Sequence, residues 1–305
     1  MSMKSWEYGD ERIGPKETVF TIGSLIIGIG ILTLPRTIAL ATNSTDGWIS
    51  ILMGGTAALL LAWMLGKLAV RINRRNYFDY TATLTAKPIA YLVSFIYTVY
   101  FLTFTSYITR SMAELSKQFL FERTPLEIIL LSFLLVVIYA VSGSRIGIIR
   151  LAVLFLPFVL IVTGIFLLLS INLFTFTNLQ PVFNTDFHEL MMGAKETAFS
   201  FLGFESILFY GALMRKPNQA PKLATIAVLL SMFTYLLIYI FTIGIFSYEV
   251  TQNIVYPTLE LAREVSVPGE FFERLESLFL IFWVVSIFAT SSIALDITVQ
   301  STSYM

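Results

Sequence analysis

The stretch that decides the fold reads LIIGIGILTLPR and covers residues 25–36. It lies within an apolar run of about residues 17–41, which is long enough to cross a bilayer, since a spanning helix needs about 20 mostly apolar residues. Gly28, Gly30 and Pro35 interrupt this run. Each glycine costs a helix about 1 kcal/mol relative to alanine, and a proline costs about 3 kcal/mol. The stretch therefore predicts a membrane-spanning helix that is broken near its middle.

The composition of the whole chain is that of an integral membrane protein. Of its 305 residues, 56% are hydrophobic and only 13% are charged, whereas soluble domains contain about 25% charged residues. The formal net charge of +0 gives no reason to expect nucleic-acid binding. The absence of cysteine excludes disulfides and Cys-type metal sites. The sequence contains no recognisable Ser–His–Asp set, metal-ligand cluster or phosphate-binding loop, so we expect no enzyme, no cofactor and no metal centre.

Eight apolar segments follow a short N-terminal tail of residues 1–16, and together they predict a single transmembrane domain over residues 17–305. The predicted spans cover about residues 17–41, 47–70, 88–113, 125–143, 148–172, 190–213, 222–247 and 274–298. Thirteen Lys and Arg residues fall on the side of the N-terminus and five on the opposite side, which predicts a cytoplasmic N-terminus. In the last long loop, a short amphipathic helix is expected from the pattern of Leu259, Leu261, Ala262 and Val265.

A second break is predicted at residues 199–206, which read FSFLGFES. Gly203 lies in the middle of the sixth span, and Glu205 is an acid at a depth where a charge costs about 3 kcal/mol. Broken membrane helices persist only where they are buried in protein or line a cavity. Their free N–H groups attract anions and their free carbonyls attract cations. For the glycines alone, close helix packing is an equally good explanation.

Three segments together resemble a known family. They are GIGILTLPR at residues 28–36, FLGFESILFYGALMRKPNQAPKLA at 201–224 and PTLELAREVSVPGEFFERLESLFLIFWV at 257–284. They resemble the spore germination permease-like family, the B subunits of germinant receptors, within the amino acid–polyamine–organocation superfamily. The resemblance implies an all-α integral membrane protein with a broken-helix, inverted-repeat transporter fold of ten helices. Because the sequence ends shortly after its eighth span, we expect about eight of the ten, with a first repeat over about 17–172 and an incomplete second repeat over about 190–298.

The resemblance also implies a function. It implies a germinant-sensing subunit in the bacterial cell membrane or spore inner membrane, assembled with receptor A-type and C-type (lipoprotein) subunits. The germinant is expected to be a small amino acid bound at broken helices 1 and 6. Two other functions stay open at this point. One is an amino-acid/cation symporter, which concentrative uptake into vesicles would reveal, and the other is a structural membrane partner that binds no ligand.

The candidate site residues come from the first, third and sixth spans. The ligand-binding candidates are Gly28, Ile29, Gly30, Tyr97, Tyr100, Phe199, Gly203, Phe204 and Glu205. Tyr97 and Tyr100 share one helical face, a pattern that is also typical of a bundle core. Arg36 and Glu196 form a candidate outer gate, unless Arg36 simply extends to the membrane interface. Ser291 and Ser292 are sodium candidates by resemblance to sodium-coupled relatives, and ordinary helix–helix hydrogen bonding explains them as well.

Overall fold

The chain forms a bundle of helices. A computed structural model describes residues 12–72, 75–264 and 275–303, and within them it contains twelve α-helices and no β-strand. These are α1 (Pro15–Ile27), α2 (Gly30–Thr42), α3 (Gly47–Ile72), α4 (Tyr77–Leu84), α5 (Lys87–Phe119), α6 (Leu126–Val141), α7 (Arg145–Leu169), α8 (Phe187–Ser200), α9 (Ile207–Tyr210), α10 (Ala220–Asn253), α11 (Pro257–Glu264) and α12 (Leu275–Thr302). The predicted all-α membrane fold is confirmed.

Most of the predicted spans appear as helices of membrane-crossing length. Among the described residues, α3, α5, α7, α10 and α12 are each long and apolar enough to cross a bilayer, and the bent pair α1 and α2 makes a sixth span. The other two predicted spans coincide with shorter apolar helices, namely α6 and the segment Phe204–Leu213 that follows the second break. The division of these spans into two five-helix repeats stays a prediction.

Two long helices hold the broken spans in place. Helix α10 packs against α1, α2 and α3, and α12 packs against α5, α6 and α7 as well as α1. Helix α8 packs against α2 and α3, so the two broken spans lie close together inside the bundle. We call the end of the bundle where α1 begins the tail end, and the opposite end, where α2 finishes, the far end.

Several local features differ from or extend the sequence expectations. The connection after α3 contains the short helix α4, which the apolar pattern does not reveal because none of its residues is buried. The predicted amphipathic helix is confirmed as α11, whose Leu259, Leu261 and Ala262 are buried. Helix α10 runs six residues past its predicted end at 247, with non-helical backbone at Ser247 (φ 64°). Val265 and the first eleven residues of the predicted tail lie outside the described residues.

The long connection between α7 and α8 is anchored to the far end by a buried acid. Asp46, between α2 and α3, is fully buried. One of its carboxylate oxygens accepts the backbone N–H of Phe183 at 2.8 Å. The other accepts the N–H of Asn184 and the hydroxyl of Thr185, both at 2.8 Å. Because a buried carboxylate is stable only when its oxygens are hydrogen-bonded, Asp46 fixes this loop at the far end of the bundle.

Candidate functional site

The first span breaks where its sequence predicts. Helix α1 ends at Ile27, α2 begins at Gly30, and the two axes differ in direction by 47°. The backbone at Gly28 (φ −20°, ψ −104°) departs from helical geometry. The first N–H groups of a helix have no partner within it, so the backbone around Gly30 offers free donors at this point in the bundle.

The carbonyl groups at the end of α1 are, in contrast, already hydrogen-bonded to side chains of α10 and α12. The donors are Trp283 Nε1 to the carbonyl of Gly28 (2.9 Å), Tyr235 Oη to that of Ile26 (2.6 Å) and Thr290 Oγ1 to that of Ser24 (2.8 Å). For the carbonyls of Ile26 and Gly28, these donors satisfy acceptors that would be costly to leave unpaired when buried. Three of the carbonyl groups near the break therefore already have side-chain partners within the protein.

The second break is centred on Gly203. Helix α8 ends at Ser200, and after Gly203 the chain continues as a 3₁₀ turn into α9. Gly203 has φ +123°, a conformation that residues with a side chain rarely adopt. A Cβ at this position would also lie 2.7 Å from Cβ of Leu25 and 3.1 Å from its carbonyl carbon. Positive φ and the close approach of α1 both require glycine here.

Glu205 links the second break to the third span. Its side chain is buried, with 7% exposure. Oε1 accepts the hydroxyl of Tyr100 at 2.6 Å, and Oε2 accepts the backbone N–H of Gly203 at 2.9 Å. Each carboxyl oxygen of Glu205 therefore has a hydrogen-bond donor within the protein. The carboxylate that the sequence analysis offered to a ligand ammonium group is thus already engaged by the protein.

Tyr235 of α10 lies between the two breaks. Besides the carbonyl of Ile26, its hydroxyl approaches the carbonyl of Ser200 at 3.1 Å. A Cβ at Gly30 would collide with this hydroxyl and would lie 3.3 Å from Cβ of Ser200. Sequence reasoning did not identify Tyr235. The available signal was a tyrosine within an apolar span, whose hydroxyl needs a partner once it is buried.

A cavity of about 640 Å³ lies between α1, α2, α5 and α8. Its lining consists of Leu25, Ile26, Ile29, Gly30, Thr33, Thr37, Tyr100, Thr103, Phe104, Tyr107, Glu196, Phe199, Ser200 and Leu202. The lining thus combines apolar side chains with several hydroxyl groups. Thr33 and Thr37 of α2 and Glu196 of α8 lie on the far-end side of the two breaks, so the cavity extends from the breaks toward that end.

The structure brings together about half of the predicted site residues in this lining. Ile29, Gly30, Tyr100 and Phe199 line the cavity, as does the gate candidate Glu196. Gly28, Tyr97, Gly203, Phe204 and Glu205 lie outside the lining. The sequence analysis did not identify some of the lining residues, because the sequence does not show which face of each helix points toward the cavity. These residues are Thr33, Thr37, Thr103, Phe104, Tyr107 and Ser200.

Tyr97 belongs to an aromatic cluster next to the site. Its ring contacts those of Tyr77, Phe101 and Phe209, with centroid distances of 5.6, 6.3 and 5.2 Å. Tyr97 lies about one turn before Tyr100 on α5, toward the tail end. The shared face that the sequence analysis recognised is therefore divided between a packed cluster and the cavity wall.

The gate and sodium candidates have the following partners. Nε of Arg36 donates to the carbonyl of Gln252 at 3.1 Å, and none of the ion pairs among the described residues joins Arg36 to Glu196. Ser292 donates to the carbonyl of Phe288 at 2.7 Å. The hydroxyl of Ser291 is buried and has no hydrogen-bond partner in the described part of the chain. Within those same residues, no group of three or more His, Asp or Glu side chains could hold a metal ion.

The tail end of the bundle is closed by polar contacts that the sequence analysis missed. Asp296 of α12 is buried and lies 3.3 Å from Nε of Arg145. It also accepts the hydroxyl of Tyr210 at 2.8 Å and the amide of Gln300 at 2.6 Å. An acid within a predicted span was the available signal. At the same end of the bundle, Ile13 pairs with the segment 213–215 through two backbone hydrogen bonds of 2.9 Å.

Two broken helices beside one cavity, held by long unbroken helices, define a membrane protein of the transporter-like class. A family model described as spore germination protein matches residues 12–305. The chain therefore belongs to the spore germination protein family, and the predicted family is confirmed.

Individual relatives agree with this assignment. The chain is 40% identical to spore germination protein GerLB of Bacillus cereus, over 97% of this chain and 79% of the relative. It is 31% identical to spore germination protein YndE of Bacillus subtilis (strain 168), over 92% of this chain and 77% of the relative. It is 30% identical to spore germination protein A2 of the same organism, over 92% of this chain and 76% of the relative.

Proposed function

We propose that this chain is the germinant-sensing membrane subunit of a spore germination receptor and that it binds a small amino acid in the cavity between the two breaks. The family membership supports a role in germination. The observation that carries the binding proposal is the 640 Å³ cavity, whose wall includes Gly30 at the beginning of α2. A concave, mostly apolar cavity with a few polar groups is the usual form of a small-molecule site.

The carboxylate of the amino acid would bind at the beginning of α2. The N–H groups of a first helical turn attract anions, and Gly30 has no side chain to block the approach. Donors from α10 and α12 already occupy the carbonyls of Ile26 and Gly28, which reduces the number of acceptors near the ligand carboxylate. Ile29 and Phe199 supply apolar walls for the body of the ligand.

Glu205 connects binding to the second break. Tyr100 lines the cavity and donates to Glu205, which in turn accepts the N–H of Gly203. A ligand that draws the Tyr100 hydroxyl toward the cavity removes one of the two hydrogen bonds of Glu205. This coupling is a route by which the bound ligand changes the geometry of the sixth span. An ammonium group directly at Glu205, as the sequence analysis expected, requires the same displacement of Tyr100.

The setting of the protein is also part of the proposal. We place it in the spore inner membrane with its N-terminus in the cytoplasm, together with an A-type subunit and a C-type lipoprotein subunit. Co-purification of both partners with a tagged copy of this chain from dormant spores tests the assembly. Recovery of the chain without either of them contradicts this part of the proposal.

Ligand binding is tested with the full chain purified in lipid nanodiscs. Calorimetric titration with each of the twenty standard amino acids should detect saturable binding of at least one. Gly30→Ala places a methyl group against the Tyr235 hydroxyl and beside the helix start, and it should abolish that binding. Gly164→Ala is the matched control, because nothing lies within 4 Å of a Cβ at that position. Binding by Gly30→Ala with unchanged affinity contradicts the site.

A further inference from the structure

The cavity lining contains one ionisable acid or base. Among its fourteen lining residues, Glu196 of α8 is the only Asp, Glu, Lys, Arg or His. The remaining polar groups are hydroxyls, which bind neutral and charged ligands alike. Glu196 is therefore the one lining residue whose side chain can offer a full negative charge to a positively charged ligand group.

Glu196 is also free to perform that role. Its side chain is exposed to the cavity, and no hydrogen bond or ion pair to it occurs within the described residues. Its former candidate partner Arg36 donates to the carbonyl of Gln252 instead. Glu205 differs in both respects, because it lies outside the lining and each of its oxygens already accepts a hydrogen bond.

The position of Glu196 suits a ligand that carries two opposite charges. Ser200 lies beside Gly30, with its Cβ 3.3 Å from the Cβ position of that glycine. Glu196 precedes Ser200 by one helical turn, which is about 6 Å along α8. A carboxylate held at the beginning of α2 thus has an acceptor for a neighbouring ammonium group within reach of a flexible glutamate side chain.

Glu196 also stands at the boundary of two spaces. Together with Thr37 it lines both the cavity and a second hollow of about 490 Å³ toward the far end. The wall of this second hollow also contains His188 and Glu189. Glu196 therefore borders both the cavity beside the breaks and the hollow that lies farther from them.

We propose that Glu196 is the specificity-determining residue that recognises the ammonium group of the ligand, and that the site selects zwitterionic amines over carboxylic acids of the same shape. This inference rests on the proposed function, since it assumes that the amino acid binds in the cavity. In this proposal Glu196 binds the ammonium group, whereas Glu205 keeps its hydrogen bonds with Tyr100 and with Gly203 at the second break.

The experiment compares two ligands and three proteins. The ligands are the tightest-binding amino acid of the titration series and its deaminated analogue, which keeps the carboxylate and side chain but replaces the ammonium group with hydrogen. The proteins are the unmodified chain, Glu196→Gln and the control Glu189→Gln, which alters only the second hollow. Each protein is titrated in nanodiscs, and size-exclusion profiles verify that it is folded.

The unmodified chain should prefer the amino acid over its deaminated analogue by about tenfold or more, as expected for a charge-assisted hydrogen bond. Glu196→Gln should lose most of this preference by weakening amino-acid binding alone, whereas Glu189→Gln should keep it. Glu196→Asp, which retains the charge on a shorter side chain, should keep part of it. A preference that survives in Glu196→Gln overturns the inference while the proposed function stands. Failure of the unmodified chain to bind any amino acid contradicts both.

Discussion

Removal of one hydroxyl group from α10 should loosen both breaks at once. The substitution Tyr235→Phe keeps the buried ring but deletes the donor that lies 2.6 Å from the carbonyl of Ile26 and 3.1 Å from that of Ser200. One proton serves both acceptors, so the loss corresponds to one strong hydrogen bond rather than two. Leaving a buried carbonyl without its donor costs about 1–3 kcal/mol. A loss of about 1 kcal/mol changes the ratio of folded to unfolded protein about fivefold.

The assay measures how long the protein stays folded in detergent at a fixed elevated temperature, together with its affinity for the amino acid identified by titration. Tyr235→Phe should shorten the half-life, by about fivefold for each 1 kcal/mol if the hydrogen bond is already broken in the unfolding transition state. It should also weaken binding, because the hydroxyl that lies between Gly30 and Ser200 is lost. The control is Tyr239→Phe, one turn later on the same helix. Tyr239 is equally buried, but its hydroxyl lies against Gly47 and 3.5 Å from the carbonyl of Ser44, away from the breaks. Because Tyr239→Phe also removes a buried hydroxyl, the two variants are compared by their amino-acid affinity, and equal effects on that affinity would refute the reasoning.

Three further substitutions test other parts of the structure. Gly203 has positive φ, and a Cβ at this position would lie 2.7 Å from Leu25. Gly203→Ala should therefore destabilise the protein by more than ~1 kcal/mol, the lower end of the cost of a strained backbone position. Thermal unfolding of the purified protein measures this loss of stability. Asp296→Asn removes the charge that faces Arg145 and should speed hydrogen exchange at the tail end of α9 and α12, with the far end unchanged. Asp46→Ala removes the acceptor of three hydrogen bonds and should make the loop between α7 and α8 sensitive to added protease. Unchanged cleavage of this loop would exclude the anchoring role of Asp46.

Local composition was sufficient to predict most of the fold. Apolar runs of spanning length gave the helices, and glycines within two of those runs located both breaks. The amphipathic helix α11 followed from its pattern of apolar residues. The short helix α4 was missed because it buries none of its side chains, so its sequence carries no periodic apolar signal.

The site was predictable only in part, since its contacts depend on how distant segments pack. Tyr235 and Ile26 are 209 residues apart in the chain, and no local pattern indicates that they meet. Tyr97 and Tyr100 share a helical face, yet Tyr97 packs against Tyr77 and Phe209 outside the cavity lining, whereas Tyr100 lines the cavity. Likewise, the depth of Glu205 in its span suggested a ligand group, whereas its hydrogen bonds to Tyr100 and Gly203 depend on the position of α5.

The most direct test of amino-acid binding between the two breaks uses the absence of native cysteine. Ser200→Cys places a single thiol in the cavity wall, and Asn184→Cys places one on the exposed loop as a control. At an amino-acid concentration ten times the dissociation constant, about nine-tenths of the sites are occupied, so modification of Cys by a small polar thiol reagent should slow about tenfold in Ser200→Cys. The rate for Asn184→Cys should not change. An amino acid that binds the protein but leaves the rate for Ser200→Cys unaltered would contradict the placement of the site.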